Sequence, residues 1–395
     1  MNYPVLKLKK GRERSVLHRH PWIFSGAIEG SVEAGNGDIV QVQDYRGERL
    51  AFGFYSTQSQ IACRIFHFGH ELLTIDALFW QQKMAKAYQL RERFVVSEHT
   101  NAYRLIHAEG DDFPGLIVDI YGKVAVVQLL IKGVEKILPV IAEGLYAYGV
   151  HAVYLNIKEV AQRIEQVELQ EGWYGSTAAS SEVEIKENGL RFIVDVEQGQ
   201  KTGFFLDQRD NRHLLGRYSR SMKVLNTFSY TGGFSIYALA HGAELVHSVD
   251  IAPAVLETAA RNIALNSIPE GKHEAFAMDG FRYLEKETPQ DFYDVIVLDP
   301  PAFAKNARAV PNAMRGYKAL NLLALKKIKK GGLLFTFSCS GNIDKDLFRK
   351  AVFAAAADAR RKVRILHQLT QPIDHPINIY HPEGEYLKGL VLYVE

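Results

Sequence analysis

Cysteine is nearly absent: the 395-residue chain has two, Cys63 and Cys339. Two are too few for a disulfide framework or a zinc site, so no metal is expected. Such sparing use fits a reducing, cytoplasmic setting. No stretch approaches the ~20 consecutive apolar residues that cross a bilayer, so no membrane partner is expected. Basic residues open the chain without an apolar run behind them, and no signal peptide is expected. There is no internal repeat and no low-complexity linker. Neither sign of charge dominates: 47 Lys and Arg face 45 Asp and Glu, a net charge of +2. The total therefore says little about partners.

The distribution says more. Hydrophobic content of 47% and charged content of 23% are ordinary for a globular chain. The length suggests two or three domains, with enough apolar residue for more than one core. The first twenty residues hold Lys7, Lys9, Lys10, Arg12, Arg14 and Arg19 against one acid, Glu13, with His18 and His20 beside them. A clustered basic face suits a phosphate backbone. The competing reading is a solvated tail. Trp22 and Phe24 follow directly. Aromatics beside cations suit RNA, because bases stack on rings while cations hold phosphates; otherwise they are core.

Residues 1–70 read as all-β. Strand-like runs at Asp38–Gln43, Leu50–Tyr55 and Ile61–Phe68 are separated by Gly, Asp and Ser. Ile75–Val96 reads as a helix. A mixed segment to residue 196 follows. Strands are expected at Tyr103–His107, Leu116–Tyr121, Val124–Ile131 and Ala152–Ile157, with a helix at Val134–Tyr148. Asn188-Gly189 marks a hairpin between Val183–Lys186 and Leu190–Val196. From about residue 197, strands alternate with helices: Val224–Phe228, Gly233–His241, Leu245–Val249, Pro253–Asn266, Ala275–Met278 with a short helix from Gly280, Val295–Leu298, Met314–Ile328, Leu333–Ser338 and Lys345–Ala357. Repeated βα units imply a parallel, doubly wound α/β sheet. Val363–Gln368 and Gly389–Val394 have no helix between them and predict a terminal antiparallel pair.

In such sheets, ligands bind beyond the carboxyl ends of the strands. The first strand delivers Thr227-Phe228-Ser229-Tyr230-Thr231-Gly232-Gly233, whose adjacent glycines allow close backbone approach. The second delivers Asp250-Ile251. A carboxylate about 20 residues past a glycine turn can accept both hydroxyls of a ribose. The third delivers Asp279, suited to an adenine amino group. The fourth delivers Asp299-Pro300-Pro301-Ala302-Phe303 and the fifth Ser338-Cys339-Ser340. Each signal is weak alone, and the ordered set is strong. The turn lacks the Gly-x-Gly-x-x-Gly spacing of a dinucleotide site, so a nicotinamide oxidoreductase ranks last.

These motifs, with Lys201 to Arg209, Phe337 to Ser340, Asp374-His375-Pro376 and Glu385 to Gly389, give the chain a resemblance over essentially its whole length. It resembles class I S-adenosylmethionine (SAM)-dependent methyltransferases, and specifically the bacterial 23S rRNA 5-methylcytosine methyltransferase I family. Asn226 departs from the acid many methyltransferases carry there. The resemblance implies three domains: an RNA-binding PUA domain over 1–70, a middle α+β domain over 71–196 and a SAM-dependent domain over 197–395. It implies SAM as cofactor and 23S rRNA, free or in an assembling subunit, as partner. Exposed edges of the middle domain allow a homodimer. By the same resemblance Phe204, Asp207 and Arg209 enclose SAM together with the glycine turn, Asp250, Ile251, Asp279, Asp299 and Pro300. Asp207-Gln208-Arg209 reads equally as a helix N-cap and first turn.

Cytosine C5 is a poor nucleophile until a thiolate adds to C6. The implied chemistry needs a reactive cysteine and an acid at the ring nitrogen, which Cys339 and Asp299 supply from neighbouring strand ends. A cysteine in a strand is more often a small buried hydrophobe, which is the reading for Cys63. For Cys339, its place past the apolar run and between two serines favours the nucleophile. Pro301, Phe303, Lys388, Lys9, Lys10, Arg12, Arg14, Arg19 and Trp22 are the candidate RNA contacts, although a solvated lysine is the safer reading of Lys388. No second cysteine follows Asp299, so the proton-removing base stays unassigned. Two alternatives stay open. An exocyclic-amine or guanine RNA methyltransferase would use the Asp299 motif and need no Cys339. A non-catalytic RNA-binding ribosome-assembly protein would bind RNA without SAM.

Overall fold

A computed structural model describes residues 3–175 and 180–395. Residues 1, 2 and 176–179, which the expected domain spans include, lie outside the described residues. The chain divides into two compact units. The first comprises 1–186, 194–206 and 373–384, and the second 187–193, 207–372 and 385–395.

The first unit holds two five-stranded sheets among the described residues. One is built from β1 (Val5–Lys7), β2 (Trp22–Phe24), β3 (Ile39–Gln43), β4 (Arg49–Tyr55) and β5 (Ile61–Phe68), in the order β1-β3-β4-β5-β2. Successive strand side chains point to opposite faces, and β4 uses both. Ala51 joins Leu6, Val40, Cys63 and Ile65 in one core. Phe52 and Phe54 join a second core with Phe66 and Trp80. The Phe54 and Trp80 rings stack at 5.6 Å and 8°. Trp80 lies on the helix Ala77–Phe94, which Asp76 caps by accepting from the Phe79 amide at 3.0 Å. The other sheet contains β6 (Ala102–His107), β7 (Leu116–Tyr121), β8 (Val124–Leu129), β9 (Ala152–Asn156) and β10 (Gly172–Tyr174).

Asp374 and His375 belong to this unit. The fully buried Asp374 carboxylate accepts from the Arg104 amide at 2.9 Å, and its carbonyl from Arg91 at 2.8 Å. Arg91 and Arg104 each form two-point pairs, with Asp111 and Asp119. The Asp374-His375-Pro376 segment is thus tied into a buried ionic network.

β11 (Glu182–Glu187) and β12 (Leu190–Asp195) form the expected hairpin, turning at Asn188 (φ 50°) and Gly189 (φ 84°). The second unit is a seven-stranded sheet of β13 (Lys223–Thr227), β14 (Leu245–Asp250), β15 (His273–Ala277), β16 (Val295–Leu298), β17 (Gly332–Ser338), β18 (Val363–Leu369) and β19 (Lys388–Val394). Its order is β15-β14-β13-β16-β17-β19-β18. The first five strands run parallel, and β19 lies antiparallel between β17 and β18. This is the expected doubly wound α/β architecture with its terminal antiparallel pair. β16 and β17 are buried almost throughout, as strands covered on both faces must be. The strand order reverses between β13 and β16, the switch point beyond whose strand ends such sheets bind ligands.

Differences from expectation have physical reasons. The helix at residue 314 starts earlier, at Val310, because Pro311 sits in its first turn, where a missing N–H does no harm. The three-residue strands β1 and β2 are too short to alternate visibly.

Candidate active site

The loop after β13 is wound against the usual backbone preference. Phe228 (φ 58°), Tyr230 (φ 48°) and Gly232 (φ 82°) are all left-handed. Side chains rarely tolerate this conformation, and such strain clusters at functional sites. Asp250, at the end of β14, fixes the turn. One carboxylate oxygen accepts from the Tyr230 amide at 2.9 Å and the other from the Ala252 amide at 3.1 Å. A Cβ on Gly232 would meet the Ala259 Cβ at 3.0 Å, and one on Gly233 the Arg212 side chain at 3.0 Å. Gly280 is packed so that a Cβ would stand 2.8 Å from the Phe228 ring.

The turn fits a polar ligand on its own atoms. Asn226 Oδ1, Ser229 Oγ and Thr231 Oγ1 are buried without a hydrogen-bond partner among the described residues. Buried polar atoms are otherwise nearly always satisfied. Thr227 is committed, its hydroxyl donating to the Val297 carbonyl at 2.8 Å. Ile251 is 72% exposed beside Asp250, an apolar surface at a polar turn. Asp279 is exposed and caps the short helix that follows, accepting from the Arg282 amide at 3.0 Å.

Asp299 is half-buried after β16 and accepts from Gln208 Nε2 at 3.0 Å. Gln208 in turn accepts from Asn211 at 2.6 Å. Asp207 accepts from the Tyr386 hydroxyl at 2.8 Å. Gln208 is the N-cap of the helix Arg209–Arg217, which Arg209 opens as the segment's spacing predicts, although the Gln208 side chain makes no capping hydrogen bond. Phe204 lies in the first unit, buried, its amide donating to the Tyr121 hydroxyl at 3.2 Å.

Cys339 follows β17, next to β16, and is partly exposed. Its Sγ lies 3.8 Å from the Pro300 carbonyl. Ser338 and Ser340 on either side are held by the buried Tyr317 hydroxyl, each at 2.9 Å. Ser340 Oγ also accepts from the Ala304 amide at 3.2 Å, linking the two strand ends. Pro301 is exposed, and the Phe303 ring packs on Tyr317 at 4.6 Å between centroids. Cys63, by contrast, is wholly buried, and burial pushes its thiol up to about 12.

Lys388 is no solvated lysine. It is 3% exposed, and its ammonium donates to the Ser340 and Tyr386 carbonyls, both at 2.7 Å. As the first residue of β19 it pairs with Ser338, so strand register delivers it to the same sheet edge as Cys339. Burial pushes it down to about 8. The sequence hides this, because the pairing is long-range. Asn211 and Tyr317 were likewise beyond sequence reasoning, and Gln208 and Tyr386 entered it only as members of longer motifs.

In the first unit Lys9, Lys10, Arg12, Arg14 and Arg19 are all exposed. Arg12, His20, Trp22 and Phe24 line a cavity of about 390 Å³. Phe24 is 51% exposed. Trp22 is half-buried, its indole N–H donating to Glu109 at 2.8 Å and its ring 4.5 Å from that of His381. No group of metal-ligating side chains and no helix long and apolar enough to cross a membrane occurs among the described residues.

Comparison with known proteins agrees with this arrangement. Residues 159–376 match the S-adenosylmethionine-dependent methyltransferase family, and 6–68 a PUA-like domain. The chain is 40% identical to Ribosomal RNA large subunit methyltransferase I of Cronobacter sakazakii, over 98% of this chain and 99% of that protein. It is 42% identical to the protein of the same name from Pseudoalteromonas atlantica, over 97% and 98%. Among solved structures, SMU.776 complexed with SAH shares the fold with a TM-score of 0.85 at 24% identity, over 99% of this chain and 100% of that one. The chain therefore belongs to the ribosomal RNA large subunit methyltransferase I family of S-adenosylmethionine-dependent methyltransferases.

Proposed function

We propose that this enzyme methylates C5 of a cytosine in 23S ribosomal RNA, with Cys339 as nucleophile. The observation that carries the reading is the position of Cys339: a partly exposed thiol at the end of β17, 3.8 Å from the carbonyl that follows Asp299. The names of the relatives support ribosomal RNA of the large subunit as substrate class. Ribosomal substrate puts its work in the cytoplasm.

SAM, when bound, supplies an electrophilic methyl group on a sulfonium. The strained turn from Thr227 to Gly233, with Asp250, Ile251, Asp279 and Pro300, is the surface for it, and Asp207 and Arg209 complete the enclosure. The buried Ser229 and Thr231 hydroxyls gain there the partners they otherwise lack. Asp250, already accepting from two backbone amides, is held rigidly for ribose hydroxyls. Cys339 adds as thiolate to C6 of the cytosine, which turns C5 into an enamine-like carbon. Asp299, oriented by Gln208, faces the ring nitrogen. C5 then takes the methyl group, with S-adenosylhomocysteine as the leaving group, and loss of the C5 proton to a base restores the double bond and expels the thiolate. Pro301 and Phe303 border the base. Residues 1–70 act as the RNA-binding module, with Lys9, Lys10, Arg12, Arg14, Arg19 and Trp22 as its contacts; 71–196 form the middle domain and 197–395 the catalytic one.

The test is nucleoside mass spectrometry on unmodified 23S rRNA incubated with SAM and either wild type or Cys339→Ala. 5-Methylcytosine is expected with wild type and at least about a thousandfold less with the variant, as for loss of a covalent nucleophile. A methylated amino group or guanine formed equally by both proteins would replace this chemistry with one that uses Asp299 and no thiol.

A further inference from the structure

We propose that Lys388 is the positioning residue that holds Cys339 as a thiolate. The inference rests on the cytosine-C5 reading above. It starts from a buried charge that the mechanism otherwise leaves unused.

Antiparallel register sets Lys388 opposite Ser338, the residue before Cys339. Directly paired residues lie on one face of a sheet, with their Cβ atoms about 5 Å apart. The Lys388 ammonium then reaches the other side of the cysteine, donating to the Ser340 carbonyl at 2.7 Å. Its second bond goes to the Tyr386 carbonyl at 2.7 Å. The cation is therefore anchored to the backbone immediately following the nucleophile.

Both acceptors are neutral. The acids whose fields reach Lys388 are Glu385 and Asp344, and Lys345 opposes them. Glu385 pairs with Lys345. Asp344 caps the helix Lys345–Ala359, accepting from the Leu347 amide at 2.7 Å. A buried ammonium with neutral ligands is unfavourable unless a negative charge comes near. Of the fields that reach Lys388 from the described residues, that of Cys339 favours the charged lysine most, ahead of both acids. The same coupling, read from the sulfur, favours thiolate over thiol. Opposing it, the Pro300 carbonyl 3.8 Å from Sγ is an acceptor and favours the protonated form. The Tyr317 hydroxyl near Cys339 is neutral, burial pushing it further up. A local cation is what tips this balance.

The competing account is that Lys388 only braces two carbonyls. A thiol titration separates the two. Cys339 alkylation by iodoacetamide is followed against pH by peptide mass spectrometry in wild type, Lys388→Met, Lys388→Gln and Lys388→Arg. Cys63, with its thiol pushed up to about 12, stays silent while the fold is intact and so reports on folding. The expected wild-type midpoint lies below the ordinary thiol value of about 8.5. Lys388→Met and Lys388→Gln should raise it by about one pH unit or more, with at least about tenfold slower alkylation at neutral pH. Lys388→Arg should restore most of the rate. In methylation assays kcat should fall about tenfold or more with the KM for rRNA unchanged. A wild-type midpoint at or above the ordinary value, or a midpoint unmoved in the neutral variants, overturns the role of Lys388. Neither result touches the cytosine reading, which fails separately if Cys339→Ala still forms 5-methylcytosine.

Discussion

Gly232 concentrates the demands of the cofactor turn in one residue. Its φ of 82° is open to glycine, and a Cβ there would press on Ala259 at 3.0 Å. Left-handed backbone costs an L side chain about 1–2 kcal/mol. Gly232→Ala should therefore lose about that much stability in denaturant unfolding and weaken SAM binding in calorimetry. Unchanged SAM affinity would remove this turn from the cofactor site. At this scale sequence reading went far with small, local signals. The paired glycines, the acids at strand ends and the contrast between Cys63 in a core and Cys339 past one were all visible along the chain. Lys388 was not, because its burial depends on Ser338 lying opposite it in another strand. Nor were Tyr317 or the bond from Gln208 to Asp299, because their partners are supplied by other elements.

At the scale of elements, the helix Arg209–Arg217 was legible only at its start, where Asp207-Gln208-Arg209 read as an N-cap and first turn. Its sequence has no apolar stripe. It buries Arg209, Asn211 and Arg212 along with Leu215 and Gly216. A polar face can be buried only if its charges are matched. Here Arg212 meets the fully buried Glu187 in a two-point pair at 2.9 and 2.7 Å. The Tyr237 hydroxyl donates to the same carboxylate at 3.1 Å. Glu187→Ala would strand the Arg212 charge, at a cost of about 3–5 kcal/mol. Denaturant unfolding of that variant should show a loss in this range, and a loss below about 1 kcal/mol would contradict the account. The elements that sequence did predict, β13, β14, β16 and β17, are apolar runs closed by Gly, Asp or Ser, the form a buried parallel strand takes. β15 and β18, at the sheet's edges, are largely exposed, and the weak pattern of β15 displaced its expected start to Ala275 from the observed His273.

For the whole molecule, the order of βα units made the doubly wound architecture legible, because repeated crossovers leave few topologies. The path of the chain was less so. Segments 194–206 and 373–384 return to the first unit. Only a pairing such as Asp374 with Arg104, 270 residues apart, reveals this. The basic cluster was legible as a cluster, and Lys9, Lys10, Arg12, Arg14 and Arg19 prove exposed, with Lys7 half-buried. The central claim is covalent: Cys339 bonds to C6 of a cytosine in rRNA. A 23S rRNA fragment carrying 5-fluorocytidine tests it directly, since fluorine at C5 blocks the proton loss that expels the thiolate. Incubated with SAM and then denatured, the wild-type protein should stay joined to RNA, with the bond mapped by mass spectrometry to Cys339. RNA that separates freely from the denatured protein, or a bond at another residue, would contradict the account.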